Sequence, residues 1–225
     1  PTFAKETIYA YISDGGIQEE ISQGGARIAA VLGLDNLIMF YDSNDIQLST
    51  ETKDVMNEDT AAKYKSLGWE VIEINGNDVE KIRKAIEEAK KVVGKPTLII
   101  GKCIMGKGAL KADGSSYEAD CKTHGAPLGG DAYVNTVKNL GGDPENPFQI
   151  FPDVQELYAN RAKELEAICA ARYAEEQAWA EANPEKASAQ ADWFAGKAPE
   201  IDWSKVQQKA NDATRSASAA CLSVL

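Results

Sequence analysis

A single histidine, His124, stands in a chain of 225 residues, and that scarcity limits the chemistry available. With no second imidazole and no acid placed beside the first, a serine-type triad has little support. Cysteine is sparse too. Cys103, Cys121, Cys169 and Cys221 show no C-x-x-C spacing, so they read as free thiols in a reducing compartment. Cys121 and His124 form one C-x-x-H pair, but a structural zinc site needs two more such ligands at similar spacing. Only distant single cysteines are available. No apolar run approaches the ~20 residues that span a bilayer. The opening PTFAKETIYA has no long apolar core and no cleavage-like tail, so it does not read as a signal peptide. Basic excess is absent as well. The net charge is −11, which argues against nucleic acid or an anionic membrane as partner. No internal repeat is found.

What is present is ordinary in bulk: 44% hydrophobic and 26% charged residues, the make-up of a soluble globular chain. The length suits one large α/β domain or two small ones. In the first half, strand and helix signals alternate. TIYAYIS (7–13) reads as a strand, and 18–33 as a helix with apolar Ile21, Ile28, Val31 and Leu32 and Gly33 near its end. LIMFYD (37–42) is a continuous apolar strand of the kind buried on both faces of a parallel sheet. A helix near 57–67 closes on Gly68, WEVIEI (69–74) is a strand, and 78–93 is a helix starting near Asp78. That helix has Ile82, Ala85, Ile86 and Ala89 on one face. TLIIG (97–101) is a fourth strand. This order makes a parallel sheet with right-handed crossovers and helices on both faces the expected architecture, an α/β fold.

From 102 to 130 the period is lost. A loop of that length with its own apolar and aromatic residues is expected to be functional. Residues 131–140 read as a short helix and 153–182 as a long one, interrupted at Asn183-Pro184. A further helix runs to about Phe194. AGKAPEIDW (195–203) has the make-up of an interdomain linker. The final NDATRSASAACLSVL reads as a helix capped at Asn211 or Asp212. It carries no stop signal, which suggests a piece of a longer chain.

Three stretches carry candidate chemistry. The first strand ends in Ser13-Asp14-Gly15-Gly16, and the second runs into Asp42-Ser43-Asn44-Asp45-Ile46. If the two strands are parallel neighbours, Asp14 and Asn44 lie side by side at the carboxyl edge of the sheet, where open α/β folds hold ligands. A carboxylate, an amide oxygen and a backbone carbonyl are hard donors that suit Mg²⁺ or Ca²⁺. Gly15 and Gly16 let the backbone approach a diphosphate. The alternative stays open that Asp14 caps the following helix and Asn44 makes a turn. GKCIMGKG (101–108) has the G-x-x-x-x-G-K spacing of a phosphate loop. However, Gly108 stands where a Ser or Thr should bind Mg²⁺, and no helix follows. His124, in the Gly/Pro-rich THGAPLGG, could touch a phosphate or shuttle a proton.

Taken together, SDGGIQEE, FYDSNDIQL and KTHGAPLGG resemble the transketolases. The first two match a signature shared by many thiamine-diphosphate enzymes, and H-G-A-P-L-G is much more specific. DTAAKYKSLGWEVIEINGND and KPTLIIGKCIMGKG are similar to the family in order and spacing. The resemblance implies thiamine diphosphate as cofactor, with Mg²⁺ (or Ca²⁺) held by Asp14 and Asn44 through their side chains and by Ile46 through its carbonyl. It implies Gly15, Asn44, Leu48 and His124 at the cofactor, and His124 as the catalytic residue that handles protons. Glu19 matches a buried glutamate linking the two active sites of a homodimer. The implied activity is reversible transfer of a two-carbon ketol unit between sugar phosphates, in the pentose phosphate pathway and the cytoplasm. Another thiamine-dependent enzyme, such as a dihydroxyacetone synthase, or a non-catalytic half-site module needing a partner chain, is the alternative. The implied layout is the later, C-terminal part of a diphosphate-binding domain over 1–150, a helical segment packing on it over 151–194, a linker over 195–210 and the start of a pyrimidine-binding domain over 211–225. This chain alone is expected to be inactive. Two departures stand out: Ser13 where the family usually has Gly, and Asp45 where many relatives have Gly. The Asp45 side chain must then point away from the metal or contribute charge.

Overall fold

All four apolar segments are short and carry β-branched or aromatic residues, and all four become parallel strands. In the computed structural model, which describes residues 6–48, 50–198 and 200–224, β1 (Ile8–Ser13), β2 (Leu37–Ser43), β3 (Glu70–Asn75) and β4 (Thr97–Lys102) form one sheet. The strand order is β1-β2-β4-β3, and every pairing is parallel. The first five residues, Pro199 of the expected linker and Leu225 at the end of the last expected helix lie outside the described residues.

The helices follow from the crossover rule. The connections from β1 to β2 and from β2 to β3 both step in one direction, and the connection from β3 back to β4 steps in the other. Right-handed crossovers therefore place the last helix on the opposite face. Helices α1 (Asp14–Gln18), α2 (Glu20–Val31) and α3 (Thr60–Leu67) cover one face, where Ile17, Ala26, Ala29, Tyr64 and Trp69 pack with Tyr41 and Leu98. Helix α4 (Val79–Ala89) covers the other, packing Ala85 and Ala89 onto Ile38 and Ile99.

Local signals explain the helix ends. Asp78 accepts hydrogen bonds from the amides of Glu80 and Lys81, and Asp59 accepts one from Ala62, both N-cap arrangements. Gly68 closes α3 at φ +101°, a conformation that favours glycine.

One expectation needs correction here. The helix expected over 18–33 starts at Asp14 and is broken at Glu19, whose extended ψ of 134° ends α1 and begins α2. In α2 the large apolar residues point away from the sheet: Ile21, Ile28 and Val31, with Leu32 at its C-terminal end, are all exposed, and Gln23, Ala26 and Ala29 face inward. Small residues let this helix lie close to the strands.

The 102–130 segment is ordered by its own bonds. Leu110 bridges Ser116, the Lys111 amide donates to the Ser115 carbonyl, and Thr136 of α5 (Gly130–Asn139) accepts from the Leu110 amide. The chain divides into two compact units, 1–149 and 150–225. The second contains α6 (Pro152–Ala182), α7 (Pro184–Phe194) and α8 (Thr214–Leu222). Asn183 and Pro184 separate α6 from α7 as expected. The cap expected for α8 is not made: Ala213 occupies that position, Asp212 accepts only from the adjacent Ala213 amide, and Asn211 is left-handed at φ +59°. Among the described residues no helix is long and apolar enough to cross a membrane.

Candidate cofactor-binding site

Because β1 and β2 pair in register, with Ser13 opposite Asp42, the residues just beyond them meet at the carboxyl edge. Asp14 is 1% exposed. One carboxylate oxygen accepts from the Tyr41 hydroxyl at 2.7 Å, and the other from the Asn44 amide at 2.9 Å. Asp14 thus does not cap its helix through the side chain; it ties the two strand ends together. Both donors are neutral, so no basic side chain compensates this buried charge through these bonds. Burial pushes the Tyr41 phenol well above its ordinary pKa, and the hydrogen bond and charge of Asp14 act in the same direction.

The Asn44 side-chain oxygen accepts from the Ile46 amide at 3.1 Å, so the turn reading of Asn44 holds in this chain. Asp45, between them, is left-handed at φ +66°. Its carbonyl accepts from the Thr52 amide at 2.8 Å, and its carboxylate pairs with Lys102 at the end of β4. Ile46 is buried and bridges Glu51. An open cleft of about 490 Å³ adjoins this turn, lined in part by Asp14, Tyr41, Thr52, Met56, Ile100 and Lys102.

The two glycines after Asp14 differ. A Cβ on Gly16 would lie 3.0 Å from Ile12 Cγ1, so packing within the chain explains that residue. A Cβ on Gly15 would meet nothing within 4 Å. Contacts within the chain do not account for its smallness, and it leaves open room beside Asp14.

The His124 segment approaches the loop after β2 at Leu48. A Cβ on Gly125 would lie 3.9 Å from Leu48 Cδ1, which joins the loop after β2 to THGAPLGG. His124 follows the 3₁₀ turn Cys121–Thr123, its amide donates to the Cys121 carbonyl at 3.1 Å, and its Nδ1 is buried without a protein partner. Asp14, Asn44 and Ile46 are therefore linked by hydrogen bonds, and Leu48 is linked to the residue after His124. Glu19, expected to be buried at a dimer contact, is exposed in the single chain at the break between α1 and α2.

The glycines of GKCIMGKG serve packing. The Gly108 amide donates to Glu118 and its carbonyl accepts from Asn139, so this segment is not a phosphate loop. Cys103 is no reactive thiol: burial, with Asp42 beside it, pushes its pKa up to about 12.

The model of one family, described as the thiamine diphosphate binding domain of transketolase, matches residues 2–199. The chain belongs to the transketolase family. Among curated relatives, the transketolase of Mycobacterium leprae is 35% identical over 227 residues, covering 97% of this chain and 31% of that protein. A probable transketolase of Streptococcus pneumoniae is 40% identical over 157 residues, covering 68% of this chain and 23% of that protein. Among solved structures, transketolase from Leishmania mexicana superposes with a TM-score of 0.81 at 31% identity, over 96% of this chain and 32% of that one. Transketolase from Pichia stipitis, solved in complex with sedoheptulose-7-phosphate, has a TM-score of 0.81 at 32% identity, with the same coverages. The chain thus spans about a third or less of the length of these transketolases.

Sequence reasoning missed Tyr41, Thr52 and Lys102. Tyr41 had a readable signal: a tyrosine inside an apolar, doubly covered strand needs a partner for its hydroxyl. Lys102 and Thr52 had none, because their roles arise from strand order and from the path of the 44–52 loop.

Proposed function

We propose that this chain holds the diphosphate and metal of a transketolase that moves a two-carbon ketol unit reversibly between sugar phosphates. The observation that carries the reading is the buried Asp14 carboxylate, satisfied by two neutral donors and beside open room over Gly15. A divalent cation suits such a site. Among the described residues, no cluster of three or more His, Cys, Asp and Glu forms a metal site. The donors offered are instead one carboxylate, the Asn44 amide oxygen and the Ile46 carbonyl. That sparse oxygen set suits Mg²⁺ or Ca²⁺ completed by diphosphate oxygens and water.

In this reading Asp14, Asn44 and Ile46 hold the metal, Gly15 admits the diphosphate, and Leu48 packs beside the cofactor. His124, whose Nδ1 lacks a protein partner, contacts the diphosphate and holds or gives up a proton during transfer. Thiamine diphosphate, when bound, supplies the carbon nucleophile and electron sink that allow a bond beside a carbonyl to break. The protein's part is to bind, orient and manage protons.

The exposed apolar face of α2, with Ile21 85% and Val31 82% exposed, supports a homodimer with this helix in the contact. Four free cysteines support work in the reducing cytoplasm.

The test is Asp14→Ala in the full-length enzyme. Metal-dependent retention of thiamine diphosphate is expected to be lost, with folding kept by circular dichroism. Tight, metal-dependent retention by that variant would overturn the assignment. The isolated 225-residue chain is expected to show no ketose-dependent turnover.

A further inference from the structure

We infer that Asp45, braced by Lys102, is a positioning residue that holds the cation-binding turn in its left-handed conformation. This rests on the reading of Asn44 and Ile46 as metal ligands. Asp45 sits between those two residues at φ +66°, a region that penalises side-chain-bearing residues and that Asp reaches only with local support. Here the support is visible. The carboxylate is ion-paired with Lys102, the carbonyl accepts from Thr52, and the following amide is held by the Asn44 side chain.

Lys102 is a firm post for this purpose. It ends β4, which lies between β2 and β3. Its carbonyl accepts from Gly76 at 2.9 Å, and the next amide, of Cys103, donates to Ser43 at 3.0 Å. Both side chains of the pair are more than half exposed, so the pair adds little to global stability. Its effect is local: it selects one backbone conformer at the residue separating the two proposed ligands. A glycine here would need no brace; in this chain the ion pair of Asp45 with Lys102 stands in for that freedom.

The experiment is a Ca²⁺ titration of the full-length enzyme with thiamine diphosphate present, read by calorimetry. Amide exchange at Thr52 is measured on the metal-free protein. Asp45→Ala is expected to weaken Ca²⁺ binding about fivefold to thirtyfold, the size of an unsupported left-handed residue, and to speed exchange at Thr52. Asp45→Gly is expected to stay within about twofold of the parent, because glycine adopts the conformation unaided. Lys102→Met is expected to weaken binding about two- to fivefold when residue 45 is Asp, the range of an exposed pair, and to have no effect in the Asp45→Gly background.

Equal losses in Asp45→Gly and Asp45→Ala would overturn the inference, since the charge rather than the turn would then matter. So would an equal effect of Lys102→Met in both backgrounds, which would mean that Lys102 acts on the ligand itself. Asn44→Ala separates the two readings. If it leaves Ca²⁺ binding intact, the ligand assignment fails, and Thr52 exchange in Asp45→Ala still reports whether Asp45 holds the turn.

Discussion

Replacing Tyr41 with Phe removes one oxygen atom from a residue that is 3% exposed. The ring keeps its packing against Ile17, Leu98 and their neighbours. What is lost is the 2.7 Å hydrogen bond to Asp14, leaving one oxygen of a buried carboxylate without that donor. Hydrogen bonds to charged groups contribute about 1.5–3 kcal/mol, and the variant is expected to lose that much stability in the metal-free protein. Urea unfolding followed by tryptophan fluorescence measures it, since Trp69 lies in the same core. The decisive comparison is the same change in an Asp14→Ala background. There the Tyr41 hydroxyl has already lost its acceptor, so its removal is expected to cost less than about 0.5 kcal/mol or to stabilise, because a buried unpaired donor is itself unfavourable. A loss below about 0.5 kcal/mol in the parent, or equal losses in both backgrounds, would refute the claim that this hydroxyl supports the carboxylate.

The two glycines after Asp14 separate packing from binding. Gly16→Ala is expected to destabilise the metal-free protein by about 1 kcal/mol through its contact with Ile12. Gly15→Ala, with open space around the new methyl, is expected to leave that stability unchanged or raise it slightly, while weakening thiamine diphosphate binding at least about tenfold by equilibrium dialysis. Alkaline pH provides a further check. Burial raises the phenols of Tyr41 and Tyr64, the latter to about 12. A raised acid stays protonated in the folded state while the unfolded chain ionises, so its stabilising contribution is complete below pH 10 and is lost above it. Stability is expected to fall between pH 10 and 12 by up to about 1.4 kcal/mol per pH unit for each such group, and less steeply in Tyr41→Phe. For the proposed dimer, Ile28→Glu on the outer face of α2 is expected to raise the dimer dissociation constant in analytical ultracentrifugation.

Much of this molecule was legible before its structure. The runs at 37–42 and 97–101 announced buried parallel strands. Asp78 and Gly68 marked helix ends by chemistry that acts within three residues. Asp14 and Asn44 could be paired because one βαβ unit separates them. Periodicity locates an apolar stripe on α2 but does not say which side meets the sheet, and here alanines pack inward and the isoleucines do not. The break at Glu19 carries no breaker residue, and the α8 cap expected at Asn211 or Asp212 gives way to a left-handed Asn211. The contributions of Tyr41, Lys102 and Thr52 depend on register and strand order, which a linear reading cannot supply.

The position of β4 also bears on how the chain assembles. This strand is the last of the four to be synthesised, yet it lies between β2 and β3 and contributes the fully buried Leu98 and Ile99 to the two cores. Among these four strands, β3 has no hydrogen-bonded neighbour until residues 97–102 leave the ribosome, and β2 pairs on one side only. Ile38 must find Thr97 across a long loop, a closure whose entropy is lost before its contacts are gained. A nascent chain stalled before β4 would leave open the edges of β2 and β3 that β4 covers, both rich in apolar residues, the kind of surface that draws chaperones or aggregates. The residue that ends this late strand is Lys102, so the brace on the Asp45 turn can form only after the sheet has closed.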